Sequence, residues 1–185
     1  MIGTMKATVL IVYLLFLGFS MWLKWLNIKY LKEQGQQVPP EFGRAVDIDT
    51  LRKTTSYTAE TSRLTVISSV LNNILVIAFL FGGIITIYDG WLASLSESFV
   101  LRGVLFILGL LYGEIIFSIP FSLYKNFSIE NRYGFNTLTG KLWLSDLIKS
   151  AVISTLLLSS IVAAALYLVQ YSPRWWWLWV WLVFL

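Results

Sequence analysis

The chain is 185 residues long, 57% hydrophobic and only 13% charged, with a formal charge of +4 and neither His nor Cys. Soluble domains are roughly half apolar and a quarter charged, so this balance excludes a soluble globular protein and marks an integral membrane one. The small net charge gives no argument for nucleic acid, and the missing His and Cys exclude imidazole or thiolate metal ligands, Cys or His catalysis and any disulfide framework.

Crossing a hydrocarbon core takes about 20 predominantly apolar residues, and four stretches predict an all-α protein with four complete membrane helices. The first, 7–26, follows Lys6. It is too long for a signal-peptide core and no small-residue cleavage site follows Ser20-Met21-Trp22-Leu23-Lys24, so it reads as a retained helix. The segment 27–65 is punctuated by Gly35, by Val38-Pro39-Pro40 and by the acidic turn Asp47-Ile48-Asp49. From Thr50 to Leu64 nothing breaks a helix, which predicts an extension running into the second span and carrying Arg52, Lys53, Tyr57 and Arg63. Such a face serves equally as a solvated basic surface near anionic headgroups or as a docking surface for another domain.

The second span, 66–87, carries Ser69, Asn72 and Asn73, polar groups suited to bonding one helix to another. The third, 100–123, holds Glu114, the single acid well inside a predicted span, with Ser118 one turn further on. A neutral buried acid or a hydrogen bond to a neighbouring helix suits Glu114 better than a proton relay. Small residues recur at Gly109 and Gly113, and again on the fourth span, 147–169, at Ala151, Thr155, Ser159 and Ala163, where they allow helices to approach closely. A fifth apolar run, WWWLWVWLVFL, occupies 175–185; eleven residues cover about half of a bilayer core, which predicts an incomplete fifth helix.

Lys and Arg divide eleven to three between alternate sides of these spans. The basic side holds the loops 27–65 and 124–146, which predicts that both are cytoplasmic and that the N-terminus is outside. Asn126-Phe127-Ser128 then matches the glycosylation triplet in a place where it is unusable. No Gly-rich phosphate loop, Ser elbow or catalytic carboxylate pair occurs in the chain.

The segment from Ile119 to Lys149 holds more polar and aromatic character than a connector needs. Glu130, Arg132, Asn136, Asp146 and Lys149, alongside Tyr133, Phe135 and Trp143, make it a candidate ordered docking surface.

Three stretches carry a resemblance to a known family. Val38-Pro39-Pro40-Glu41-Phe42 is like Val-Pro-x-x-Phe, and Tyr57-Thr58-Ala59-Glu60-Thr61-Ser62-Arg63-Leu64 is like Tyr-Thr-x-x-Lys-Thr-Arg-Leu, with Thr61 where Lys is usual. Pro120-Phe121, Tyr124, Phe127, Glu130, Arg132, Gly134-Phe135-Asn136, Thr139, Asp146 and Lys149 follow in family order, with Tyr133 where Phe is usual. In these residues the chain resembles the N-terminal membrane region of the type I CaaX prenyl proteases, membrane-embedded zinc metallopeptidases, and most closely their bacterial members.

The resemblance implies the N-terminal part of a seven-helix barrel around a large chamber. It also implies a zinc site on a His-Glu-x-x-His helix beyond the fifth span, so that zinc belongs to the complete enzyme and this chain holds no catalytic or metal residue. The implied partners are the bilayer, a C-terminal peptidase domain, and a prenylated or membrane-associated protein substrate. A bacterial inner membrane is the expected location, or the endoplasmic reticulum in a eukaryote. The alternative reading is a non-enzymatic scaffold or small transporter subunit using Glu114, Asn72 and Asn73, although no internal repeat supports transport.

Overall fold

The computed structural model describes residues 2–34 and 47–183, so the Val38 to Phe42 stretch lies outside the described residues. Among the described residues the elements are all helical, and four helical stretches are long and apolar enough to cross a membrane: Thr4–Leu31, Ile48–Phe81, Phe99–Tyr133 and Gly140–Tyr171. Leu92 and Ile129 are the buried apolar side chains. The apolar surfaces of the long helices are left for lipid, which offers no hydrophobic drive for helix association, so polar contacts and close packing hold the helices together.

The chain forms two compact units. The first contains residues up to Gly82 together with Ser118–Thr137. Its main elements are α1 (Ile2–Gln34) and α2 (Ile48–Phe81), packed as an antiparallel pair. Asp47 starts α2: its carboxylate accepts from the Thr50 amide at 3.1 Å, the Thr50 hydroxyl at 3.0 Å and the Asp49 amide at 3.4 Å. Those bonds, the Thr50 hydroxyl foremost, hold the Asp47 carboxyl below its ordinary value. Two polar bonds join α1 to α2: the Tyr13 hydroxyl donates to Asn73 Oδ1, and Lys24 Nζ donates to Ser69 Oγ at 2.7 Å.

The expected second span, 66–87, is cut short, because α2 ends at Phe81 and a separate helix α3 (Ile84–Leu95) follows. The cause is the pair Gly82-Gly83. Gly83 has φ +84°, a left-handed conformation that glycine alone adopts without strain, so the helix ends here and a separate one begins at Ile84. An apolar run averages over such a break, which is why hydropathy does not register it.

Helix α4 (Phe99–Tyr124) contains Pro120, whose missing N–H interrupts the hydrogen-bond ladder near the helix end. The backbone then widens into a π-helical turn, Lys125–Glu130, and closes with the short α5, Asn131–Tyr133. Gly134, at φ +72°, ends the helical path. An extended stretch leads to Thr139, the N-cap of α6 (Gly140–Tyr171), whose hydroxyl accepts from the Leu142 amide at 3.3 Å. The expected loop 124–146 is therefore mostly helical, and Asp146 and Lys149 lie within α6 rather than at its margin. Thr139 is a good cap and nothing from Gly140 to Asp146 breaks a helix, so α6 begins ahead of its apolar stretch.

The second unit holds Gly83–Phe117 and the residues from Leu138 onward. The Tyr88 hydroxyl of α3 donates to the carbonyls of Leu105 and Phe106 at 3.1 and 3.2 Å, and its ring lies 5.0 Å from Phe106. A side chain at Gly109 would collide with the Tyr88 hydroxyl, so the small residue there makes room for α3. Arg102 and Asp89 pair at 3.9 Å. Between α4 and α6, Tyr112 and Thr155 hydroxyls stand 2.7 Å apart; Thr155 donates its own hydrogen to Ala151, so Tyr112 is the donor. Helix α7, Trp176–Val183, occupies the region of the expected fifth helix.

Candidate functional site

The polar segment has a seat, and that seat is the extension of α2. Lys53, Tyr57 and Glu60 are spaced four and three residues apart, which puts them on one face of the helix. Arg132 Nη1 meets Glu60 Oε1 at 2.5 Å. Glu60 is the more sheltered partner, at 26% exposure against 56% for Arg132. The Tyr57 hydroxyl donates to Glu130 Oε1 at 3.4 Å, and Lys125 Nζ lies 3.9 Å from the same oxygen. The Tyr57 ring stands nearly perpendicular to those of Tyr133 and Phe135, with centroids 5.6 and 5.0 Å away. Lys53 Nζ stands 5.3 Å from the Phe135 centroid, a cation over an aromatic face.

Backbone bonds close the segment on itself. The Glu130 carbonyl accepts from the amides of Phe135 at 2.9 Å and Asn136 at 3.2 Å, and the Asn131 carbonyl accepts from Gly134 at 3.1 Å. This arrangement needs the left-handed turn at Gly134 to bring the chain back over the helix end. Ile129, with no exposed surface, anchors the π-helical turn from beneath. The result is an ordered latch: the Arg132–Glu60 ion pair, the Tyr57–Glu130 hydrogen bond and an aromatic cluster fasten 125–136 to α2, while the Lys125–Glu130 pair and the glycine turn hold the segment's own shape.

Not every candidate residue belongs to it. Glu130, Arg132, Gly134, Phe135 and Asn136 converge in the latch, whereas Thr139 caps α6, and Asp146 and Lys149 are exposed on that helix. Glu114 is exposed on α4 and makes no hydrogen bond or ion pair among the described residues, unlike the buried or bonded acid the sequence suggested. It stands two positions beyond Tyr112, which faces α6, so it points to a different side of the helix. On α2, Ser69 and Asn73 are one turn apart and bond to α1, while Asn72, about 100° round from Asn73, is exposed.

Sequence reasoning missed Glu60 and Lys53 as partners of the latch. A signal for Glu60 was present, since it is the sole acid between Thr50 and Leu64 and shares a face with Tyr57. The latch can position and fasten. It contains no nucleophile with a base beside it, and among the described residues no three His, Cys, Asp or Glu side chains gather in a way that could hold a metal ion. Zinc does not fit the described residues.

The sequence profile of the CAAX prenyl protease N-terminal region, with its five membrane helices, matches residues 27–185. The chain belongs to this family. It is 26% identical over 152 residues to the human CAAX prenyl protease 1 homolog, covering 78% of this chain and 32% of that protein. The Arabidopsis thaliana CAAX prenyl protease 1 homolog is 39% identical over 74 residues, covering 40% of this chain and 18% of its own length. The crystal structure of S. mikatae Ste24p superposes with a TM-score of 0.78 at 23% identity, over 88% of this chain and 39% of that one. That likeness establishes a shared helical membrane fold. This member of the CAAX prenyl protease N-terminal family spans about a third or less of the length of these curated relatives.

Proposed function

We propose that this chain supplies the membrane-embedded wall of a zinc metalloendopeptidase that cleaves CaaX-type prenylated or membrane-associated proteins, with hydrolysis carried by residues outside these 185. The observation that carries the reading is the family match over residues 27–185. The lack of His and of any metal-holding cluster among the described residues agrees with a supporting rather than a hydrolytic role. In this reading the latch fixes the height and direction of 125–136 above the membrane, presenting a rigid platform for the peptidase domain or a bound peptide. The eleven-to-three division of basic residues supports a cytoplasmic position for that platform.

The test is to extract the protein from its native membranes with whatever remains bound, measure its zinc content and assay cleavage of a farnesylated CaaX peptide. Cleavage that a chelator abolishes and zinc restores is the expected result. A preparation that folds, carries no zinc and leaves the peptide intact would overturn the proposal.

A further inference from the structure

One end of the second unit carries a dense group of aromatic side chains. Five tryptophans fall between Trp175 and Trp181, and Tyr167 and Tyr171 precede them as a stacked pair with centroids 5.9 Å apart. Their level follows from α4. From Arg102 to Lys125 the helix rises about 34 Å, close to the roughly 30 Å of a hydrocarbon core, so these two cations mark its boundaries. Helix α6 runs antiparallel to α4: a side chain at Gly103 would collide with Leu166, and Tyr112 bonds Thr155 further along. Leu166 is therefore level with Arg102, and Tyr167, Tyr171 and the tryptophans follow from that boundary onward. On α3, Asp89 pairs with Arg102, which puts Trp91 at the same end.

Trp91 and the five later tryptophans are between 42% and 61% exposed. Trp177 and Trp181, four apart, share one side of α7, whereas Trp179 stands about 200° round from Trp177, so the helix presents indoles in opposite directions. An indole N–H donates and cannot accept, and among the described residues none of these six meets a protein acceptor. Arg174, whose guanidinium lies 5.9 Å from the Trp175 ring centroid, likewise meets no carboxylate among the described residues. Donors without acceptors, mounted on large apolar rings, suit neither hydrocarbon, which strands the N–H groups, nor water alone, which strands the rings. The glycerol-ester and phosphate layer of a phospholipid leaflet meets both needs: it is rich in acceptor oxygens, it borders the acyl chains, and it surrounds a helix on every side. A protein partner would cover one side of α7 and leave the indoles opposite.

We propose that this aromatic end is a phospholipid anchor, in which the indoles of Trp175 to Trp181, with Arg174 and Trp91, donate to the ester and phosphate oxygens of one leaflet and hold the second unit at that height. The anchor shares no residue with the latch and does not depend on the peptidase reading.

The full chain has no cysteine, so Trp177→Cys and Trp179→Cys can each carry a single nitroxide in phosphatidylcholine vesicles. Collisions with oxygen, which gathers in the bilayer, and with a nickel chelate, which stays in water, report the depth of each label. Both labels should collide with both reagents, at a depth matching the ester level. A label that meets the nickel chelate alone would put α7 in a water-filled space, and a label shielded from both reagents would put it against protein; either result overturns the anchor. A second measurement isolates the indoles. With the nitroxide on Leu182→Cys, replacing Trp177, Trp179 and Trp181 together by Leu should let the label sink towards the bilayer centre by about 5 Å, one helical turn. Phenylalanine at the same three positions, which keeps a ring and loses the donor, should move it in the same direction. An unmoved label in either variant would overturn the assignment to indole donors, and the two single labels decide the matter should the triple variants fail to fold.

Discussion

Gly134 carries the sharpest constraint at the scale of single residues. A Cβ there would meet only Lys53 Nζ, at an ordinary 3.8 Å, so substitution is opposed by backbone strain at φ +72° and not by crowding. Gly134→Ala should cost about 1 kcal/mol, a fall of roughly 2–4 °C in melting temperature for a chain of this size. Gly134→Val should lose more and Gly134→Asn less, because Asn tolerates the left-handed region; equal losses would mean that crowding dominates. Arg132 and Glu60 invite a double-mutant cycle. With Arg132→Met and Glu60→Gln measured singly and together, a coupling of about 0.5–1 kcal/mol is expected for a half-exposed pair. The sequence revealed Glu130, Arg132, Gly134 and Phe135 as a group because of their order along the chain. It did not reveal that Glu60, some seventy residues earlier, is the partner, since pairing across that distance depends on where α2 and the π-helical turn meet.

At the scale of elements, the start of α2 is tied to pH through Asp47. Its carboxyl is held below the ordinary range by the Thr50 hydroxyl and the Thr50 and Asp49 amides, so the cap's contribution is present above about pH 4 and is lost as pH falls through the lowered folded-state value. Amide hydrogen exchange at Leu51 and Arg52, corrected for its intrinsic pH dependence, should accelerate on acidification in the wild type and be fast throughout in Asp47→Ala. A flat wild-type profile would show that the cap does not hold the extension. In the second unit, Gly109→Ala should displace the Tyr88 hydroxyl from the Leu105 and Phe106 carbonyls. The loss should shrink when combined with Tyr88→Phe, and strictly additive melting shifts would exclude this contact as the cause. Apolar run length made the long helices legible in the sequence. The α2–α3 break was not, because two glycines of local conformational effect are invisible to a hydropathy average, and the early start of α6 was obscured by its polar first turns.

For the whole molecule, the absence of cysteine turns a limitation into a tool. Single replacements Thr58→Cys and Ser96→Cys, on connections that the basic-residue count puts on opposite sides, can be labelled with a membrane-impermeant maleimide without background. In sealed vesicles of known orientation, only one of the two should react before the membrane is opened. Labelling of both, or of neither, would contradict the proposed topology. What the sequence conveyed at this scale was membrane residence, through composition, and family, through the run from Glu130 to Asn136. The division into two compact units was not conveyed, because α4 is one continuous helix whose ends contribute to different units.

The π-helical turn at Lys125–Glu130 also bears on how this chain can change over evolutionary time. Such a turn is an α-helix that has absorbed one additional residue, and each residue in an α-helix advances the chain by about 100°. Removing one residue ahead of Ile129 would restore a regular helix, yet it would swing Glu130 and Arg132 about a quarter-turn away from Tyr57 and Glu60. A substitution in this turn removes the contacts of one side chain, whereas a single-codon deletion ahead of Ile129 should undo the latch as a whole: the segment is least tolerant of a change in length.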